Sequence, residues 1–171
     1  PQGSTGDKTF TANWTANIYA ITYHLNGGSD PGNPDTYTVE TETFTLKNPT
    51  KDGYTFAGWV GTALPSATTE VTIPKGSTGN REYTALWTAI NYPITYDLKG
   101  GTVDSATPNP TSYTVDTPTF RINNPTKAGY TFDGWTGPGY DTPSKTVEIP
   151  KGSTGAKHYV AHWTAIEYTI T

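Results

Sequence analysis

Apolar and polar residues alternate with period two in short stretches of the chain, and each stretch occurs more than once. Tyr19, Ile21, Tyr23 and Leu25 fall on one face of an extended segment, with Ala20, Thr22 and His24 on the other. Side chains of a strand point to opposite faces in turn, so the pattern predicts a half-buried β-strand. Tyr92, Ile94, Tyr96 and Leu98 repeat it, with Pro93, Thr95 and Asp97 opposite. Pro93 cannot donate to a ladder, which places it at a strand start or on an edge. A second alternating run turns Tyr83, Ala85 and Trp87 inward, and Tyr159, Ala161, Trp163 and Phe10, Ala12, Trp14 are expected to face inward in the same way. Shorter extended pieces are Tyr37–Val39, Phe44–Leu46, Tyr54–Phe56 leading into Gly58-Trp59, and Val71–Ile73, which stops against Pro74. No stretch carries a convincing amphipathic helix; 62–70 is too rich in Thr, Ser and Pro.

The alternation recurs because the sequence repeats itself. Ile21 to Gly28 returns as Ile94 to Gly101, and Pro49-Thr-Lys-Asp-Gly-Tyr-Thr-Phe-Ala-Gly-Trp59 returns as Pro125-Thr-Lys-Ala-Gly-Tyr-Thr-Phe-Asp-Gly-Trp135. Ile73 to Gly79 returns as Ile149 to Gly155, and Trp87-Thr-Ala-Ile90 as Trp163-Thr-Ala-Ile166. Between Tyr37–Ile90 and Tyr113–Ile166, 31 of 54 positions are identical. The loop after Gly101 is three residues longer than the one after Gly28, as expected of a surface loop, where insertions cost little. Partial copies stand at both ends. We therefore read 1–17 as the C-terminal tail of a preceding repeat, 18–90 as repeat 1, 91–166 as repeat 2 and 167–171 as the start of a following one. No Gly/Ser linker separates the copies, which predicts a semi-rigid array of neighbours.

Composition supports an all-β reading. Thr is about one residue in five, with 18 Gly, 14 Pro and 22 aromatics, a mixture suited to short strands and tight turns. A net charge of −4 argues against a nucleic-acid partner, which calls for a basic stripe. No apolar run approaches the roughly 18 residues of a membrane span. There is no Cys, which removes disulfides, thiolate catalysis and Cys-based zinc sites. The absence of Met suggests a piece of a longer chain.

Duplication also filters candidate chemistry, because a residue essential in each unit should stand in both copies. His24 is matched by Asp97, His158 by Glu82 and His162 by Leu86, so no histidine recurs as a metal ligand or base. Ser77 and Ser153 recur without a histidine to activate them. The loops 26–35 and 101–109 are rich in Asn and Asp but differ in length, which favours turn chemistry over Ca²⁺ binding. Gly27-Gly28 and Gly53 are expected in turns of positive φ, and Lys51/Lys127 and Lys75/Lys151 on solvated surface. The recurring aromatics are assigned to a structural core: Tyr23, Phe56, Trp59 and Trp87 in the first repeat, Tyr96, Phe132, Trp135 and Trp163 in the second. Units of about 75 residues without disulfides or metal are marginal, and burial of such rings is the expected compensation. No catalytic residue, cofactor or metal is expected.

Tyr-x-Ile-Thr-Tyr-x-Leu-x-Gly-Gly, then Asn-Pro-Thr-Lys-x-Gly-Tyr-Thr-Phe-x-Gly-Trp, then Tyr-x-Ala-x-Trp resembles the Listeria–Bacteroides repeat, also called the internalin-type B-repeat. The match runs in order through both full copies and into both partial ones. The resemblance implies small β-grasp-like modules in tandem on secreted or wall-attached bacterial surface proteins. A β-grasp contains a helix that the residue pattern does not show, so that helix is expected to be shortened or replaced by a loop. The path between Trp59 and Val71 is less typical of the family. The expected function is a stalk that displays another domain, with neighbouring repeats as partners. The alternative is an adhesive module that engages a host protein or glycan through exposed aromatics or a sheet edge.

Overall fold

A computed structural model describes residue 3 and residues 5–170. The positions 1, 2, 4 and 171, which the sequence assigns to the flanking partial repeats, lie outside the described residues. The chain folds as two compact units, one formed by the residues up to Thr50 with Phe56–Leu86, the other by Lys51–Thr55 with the residues from Trp87 onward.

All regular structure among the described residues is β, in the same order twice. In the first pass the strands are β1 (Tyr19–His24), β2 (Thr36–Tyr37), β3 (Phe44–Thr45), β4 (Tyr54–Gly61), β5 (Leu64–Thr68), β6 (Thr72–Ile73) and β7 (Arg81–Ala89). In the second they are β8 (Tyr92–Asp97), β9 (Ser112–Tyr113), β10 (Phe120–Arg121), β11 (Tyr130–Gly137), β12 (Tyr140–Ser144), β13 (Glu148–Ile149) and β14 (Lys157–Ala165). Each pass makes a five-stranded sheet, ordered β2-β1-β7-β4-β5 and β9-β8-β14-β11-β12, and a two-stranded ladder, β3-β6 and β10-β13.

The first strand of each pass runs parallel to the last. Ile21 to His24 pair with Arg81 to Thr84, and Ile94 to Asp97 with Lys157 to Val160. The other described pairings are antiparallel. Pro93 lies at the start of β8, where only β9 pairs with it, so no ladder bond is lost to its missing N–H.

Tight turns follow β1 and β8. Asn26 and Gly27 take φ of 50° and 83°, and Lys99 and Gly100 take 49° and 84°, with Gly28 N–H donating to Leu25 O at 3.0 Å and Gly101 N–H to Leu98 O at 2.9 Å. Consecutive positive φ values with this bond make a type I′ turn, which suits Asn-Gly. The second glycine of each pair is not left-handed. A Cβ on Gly101 would overlap the Trp163 ring, so that glycine is needed for space and not for φ.

The segment between Trp59 and Val71 is a hairpin and not a helix. β4 pairs antiparallel with β5, and β11 with β12, each with a register shift after the tryptophan. Two expectations for the flanks are corrected. Residues 5–18 form no strand, and Phe10 and Trp14 are 89% and 91% exposed instead of facing inward. No strand among the described residues pairs with this segment, so its alternation builds no sheet face for a core to cover. Tyr168 and Ile170 are likewise exposed in a segment without strand pairing.

Candidate functional site

The eight aromatics expected in the core occupy two depths. Trp59 and Trp135 are fully buried, and each indole N–H donates to an asparagine, Asn48 or Asn124, at 3.1 Å. Trp59 lies against Tyr23, Phe56 and Tyr83, with ring centroids 5.8, 5.4 and 6.5 Å away; Trp135 lies 5.7 Å from Tyr96 and 5.6 Å from Phe132. Tilted and edge-on contacts of this kind add to simple burial. Tyr23, Phe56, Tyr96 and Phe132 are half-buried, and so are Trp87 and Trp163. Trp163 packs on Phe132 at 5.2 Å and donates its indole N–H to Leu98 O at 3.1 Å. It closes the rim of the core and leaves the deepest layer to Trp135, Ile149, Tyr159 and Val147.

One pair of core residues is not singled out by the sequence pattern. Tyr37 and Tyr113 are 3% exposed, and their hydroxyls donate to Gly79 O and Gly155 O, both at 2.6 Å. This explains why Gly-Ser-Thr-Gly recurs: the turn presents a carbonyl to a buried phenol. Ser77 and Ser153 belong to the same turns through backbone bonds to Pro74 O and Pro150 O, both 3.2 Å.

The other candidates make local contacts. His24 meets Glu82 at 2.7 Å, and His158 and His162 meet Thr95 and Thr136, both at 2.8 Å. Among the described residues no group of three His, Cys, Asp or Glu could hold a metal ion. In the Asx-rich loops, Asp30 accepts from Gly32 N at 2.8 Å and Asp104 from Ala106 N at 2.9 Å, which is turn chemistry.

Burial governs the phenols. Tyr23, Tyr96 and Tyr159 are each pushed up to about 12, chiefly because burial disfavours the phenolate. An unfolded tyrosine ionises near pH 10, so the unfolded chain loses protons first as pH rises. The stability these groups contribute is complete below about pH 10 and is lost between about pH 10 and 12. Absorbance at 295 nm is expected to show a late phase of tyrosine ionisation in that window, coincident with loss of near-UV circular dichroism. Ionisation of every tyrosine near pH 10 with the dichroism intact would contradict it.

Lys51 and Lys127 are not simply solvated, whereas Lys75 and Lys151 are exposed. Lys127 Nζ lies 4.0 Å from the Tyr130 ring centroid and 5.9 Å from that of Trp163, and donates to Lys99 O at 3.0 Å. Lys51 Nζ lies 4.1 Å from Tyr54 and 5.9 Å from Trp87. Each lysine caps two rings at once through cation–π attraction. Beside β8, the longer second loop frames an open cleft of about 480 Å³ lined by Ile94, Tyr96, Leu98, Val103, Pro108 and Asn109, among others.

Residues 19–84 and 92–155 each match the Listeria-Bacteroides repeat domain. The chain belongs to that family. It is also 28% identical over 133 residues to a protein named "Putative Gly-rich membrane protein" and 27% identical over 131 residues to one named "Putative membrane protein", both from Evansella cellulosilytica. The matches cover 76% and 77% of this chain but 14% and 19% of those proteins, so the chain spans less than a fifth of their length. No solved structure matches the chain. The family is one of repeat domains.

Proposed function

We propose that this tandem segment is a non-catalytic stalk of a bacterial surface protein, a semi-rigid spacer outside the cell that displays another domain. The modules are β-grasp-like, with a strand hairpin in place of the helix. The observation that carries this reading is the parallel pairing of the first and last strands of each repeat. Tension along the chain enters a repeat at one of these strands and leaves at the other. Because they are parallel neighbours, the load shears the ladder and stresses its bonds together, whereas an antiparallel pair pulled from one end opens bond by bond. Family membership, the two small matched cores and the membrane proteins among the relatives support the same reading.

Single-molecule force spectroscopy tests it. Pulled through its termini, the chain is expected to give two discrete unfolding events. The chain has no cysteine, so Thr131→Cys and Thr164→Cys provide unique handles on exposed, paired residues of β11 and β14. Pulling there unzips the antiparallel pair and is expected to need a clearly lower force. Equal forces in the two directions would sink the mechanical reading. The cleft beside β8 favours the adhesive alternative; glycan or host-matrix binding lost on changing Val103 and Pro108 would support that.

A further inference from the structure

The turn Lys-x-Gly-Tyr occurs at 51–54 and at 127–130, and its two copies differ in what covers them. The Lys51–Thr55 segment belongs to the second compact unit. There Gly53 is buried, and a Cβ added to it would overlap Val115 Cγ1. Tyr54 donates its hydroxyl to Asp116 Oδ1 at 2.5 Å, and Val115 is 8% exposed.

The second copy has the same internal form. Gly129 has φ of 76° against 79° for Gly53. Ile166 N–H donates to Gly129 O and Ile90 N–H to Gly53 O, both at 2.9 Å, and the lysine lies over the tyrosine in each. The cover, however, is missing: a Cβ on Gly129 would meet nothing within 4 Å, and Tyr130 and Ile166 are 40% and 43% exposed. The opposite half of the contact also exists twice. Val39-Glu40 is the counterpart of Val115-Asp116 and is built by the same bonds, Gly76 N–H to Val39 O and Gly152 N–H to Val115 O, both 3.0 Å. Its valine is only half-buried and its acid exposed.

We propose that the 127–130 turn is a docking surface for the Val-Asp/Glu turn of a further repeat of this kind, and that every repeat carries one such donor turn and one such acceptor turn. The occupant follows from the copy already seated: a valine over the glycine, and a carboxylate within reach of the tyrosine hydroxyl. Ile166-Glu-Tyr-Thr-Ile170 repeats the opening of β8 in sequence, which supplies the start of such a repeat. This proposal deepens the tandem-array part of the reading above and is independent of the shear geometry, so either can fail alone.

The test compares the 171-residue chain with a longer one in which a copy of residues 91–166 continues the array after Ile166. Tyr54→Phe is expected to lower the melting temperature of the second unit by about 4 °C in the 171-residue chain. Tyr130→Phe is expected to leave that chain unchanged but to cause a shift of the same size in the three-repeat chain. There, the Gly129 and Tyr130 amides should also gain hydrogen-exchange protection of at least several-fold. Two results would overturn the proposal: Tyr130→Phe silent in both chains with no added protection, as a partner of other chemistry would give, or Tyr54→Phe silent in the 171-residue chain.

Discussion

Gly134→Ala is expected to unfold the second unit at temperatures where the unchanged chain is folded. Gly134 sits in β11 where the register against β14 shifts, with φ of 145°. That conformation is close to glycine-only, and a side chain forced into it costs about 1–3 kcal/mol. Space adds to the penalty. A Cβ there would overlap the Ser144 backbone nitrogen and the carbonyl carbon of Pro143, and backbone cannot swing aside as a side-chain tip can. β12 would have to leave β11, and the cover over Trp135 would go with it. A total near ~4 kcal/mol is comparable to the ~4–11 kcal/mol that a 75-residue unit possesses in all. Gly152→Ala separates the two causes. Its φ is 86°, but a Cβ would meet nothing within 4 Å, so only a conformational cost of about 1–2 kcal/mol is expected. Urea titrations followed by tryptophan fluorescence measure both, and equal losses would mean that β12 can move away from β11 at little cost. Gly58 in the first unit has φ of 134° and faces the Thr68 backbone, and it should respond like Gly134.

What could be read from the sequence follows from which strands bury a face. β1, β7, β8 and β14 alternate because each lies inside a sheet with one side on the core, and Ile21, Tyr83, Ala85, Ile94, Tyr159 and Ala161 are buried as the period demands. β5 and β12 are edge strands that touch the core mainly at their ends. Leu64-Pro-Ser-Ala-Thr68 and Tyr140-Asp-Thr-Pro-Ser144 therefore carry no alternation, and an edge strand tolerates their prolines. The usable signal was in the glycines. Gly61 and Gly137 recur where a Cβ would overlap the carbonyl of Glu82 or His158, so a close approach of β4 to β7 and of β11 to β14 is encoded at those positions. Covering of the Lys-x-Gly-Tyr turns could not be read, because near-identical sequence at 51–54 and 127–130 sits in different surroundings. Local sequence sets the turn, and its neighbours set its burial.

Trp135→Ala is expected to cost about 4–5 kcal/mol, and Trp163→Ala about half as much. A buried indole removes ~200 Å² from water, worth up to about 5 kcal/mol at ~25 cal/mol per Å², and its deletion leaves a cavity that rigid neighbours cannot fill. Trp135 meets both conditions. It is fully buried, ringed by Tyr96 and Phe132, and surrounded by Ile149, Val147 and Tyr159. Trp163 is half-buried at the rim, so water already reaches part of its ring and replaces much of what is lost. Its removal also takes one of two donors from the Leu98 carbonyl, which keeps the Gly101 N–H, and the ring contact to Lys127, so those losses are small. Thermal melts of the two variants should therefore differ by several degrees, with the first unit unperturbed in both. Equal destabilisation would place the two indoles at one depth and remove the distinction between a sealed core and its rim. A near-neutral Trp135→Ala would mean that the second unit is held by its turns and not by its rings.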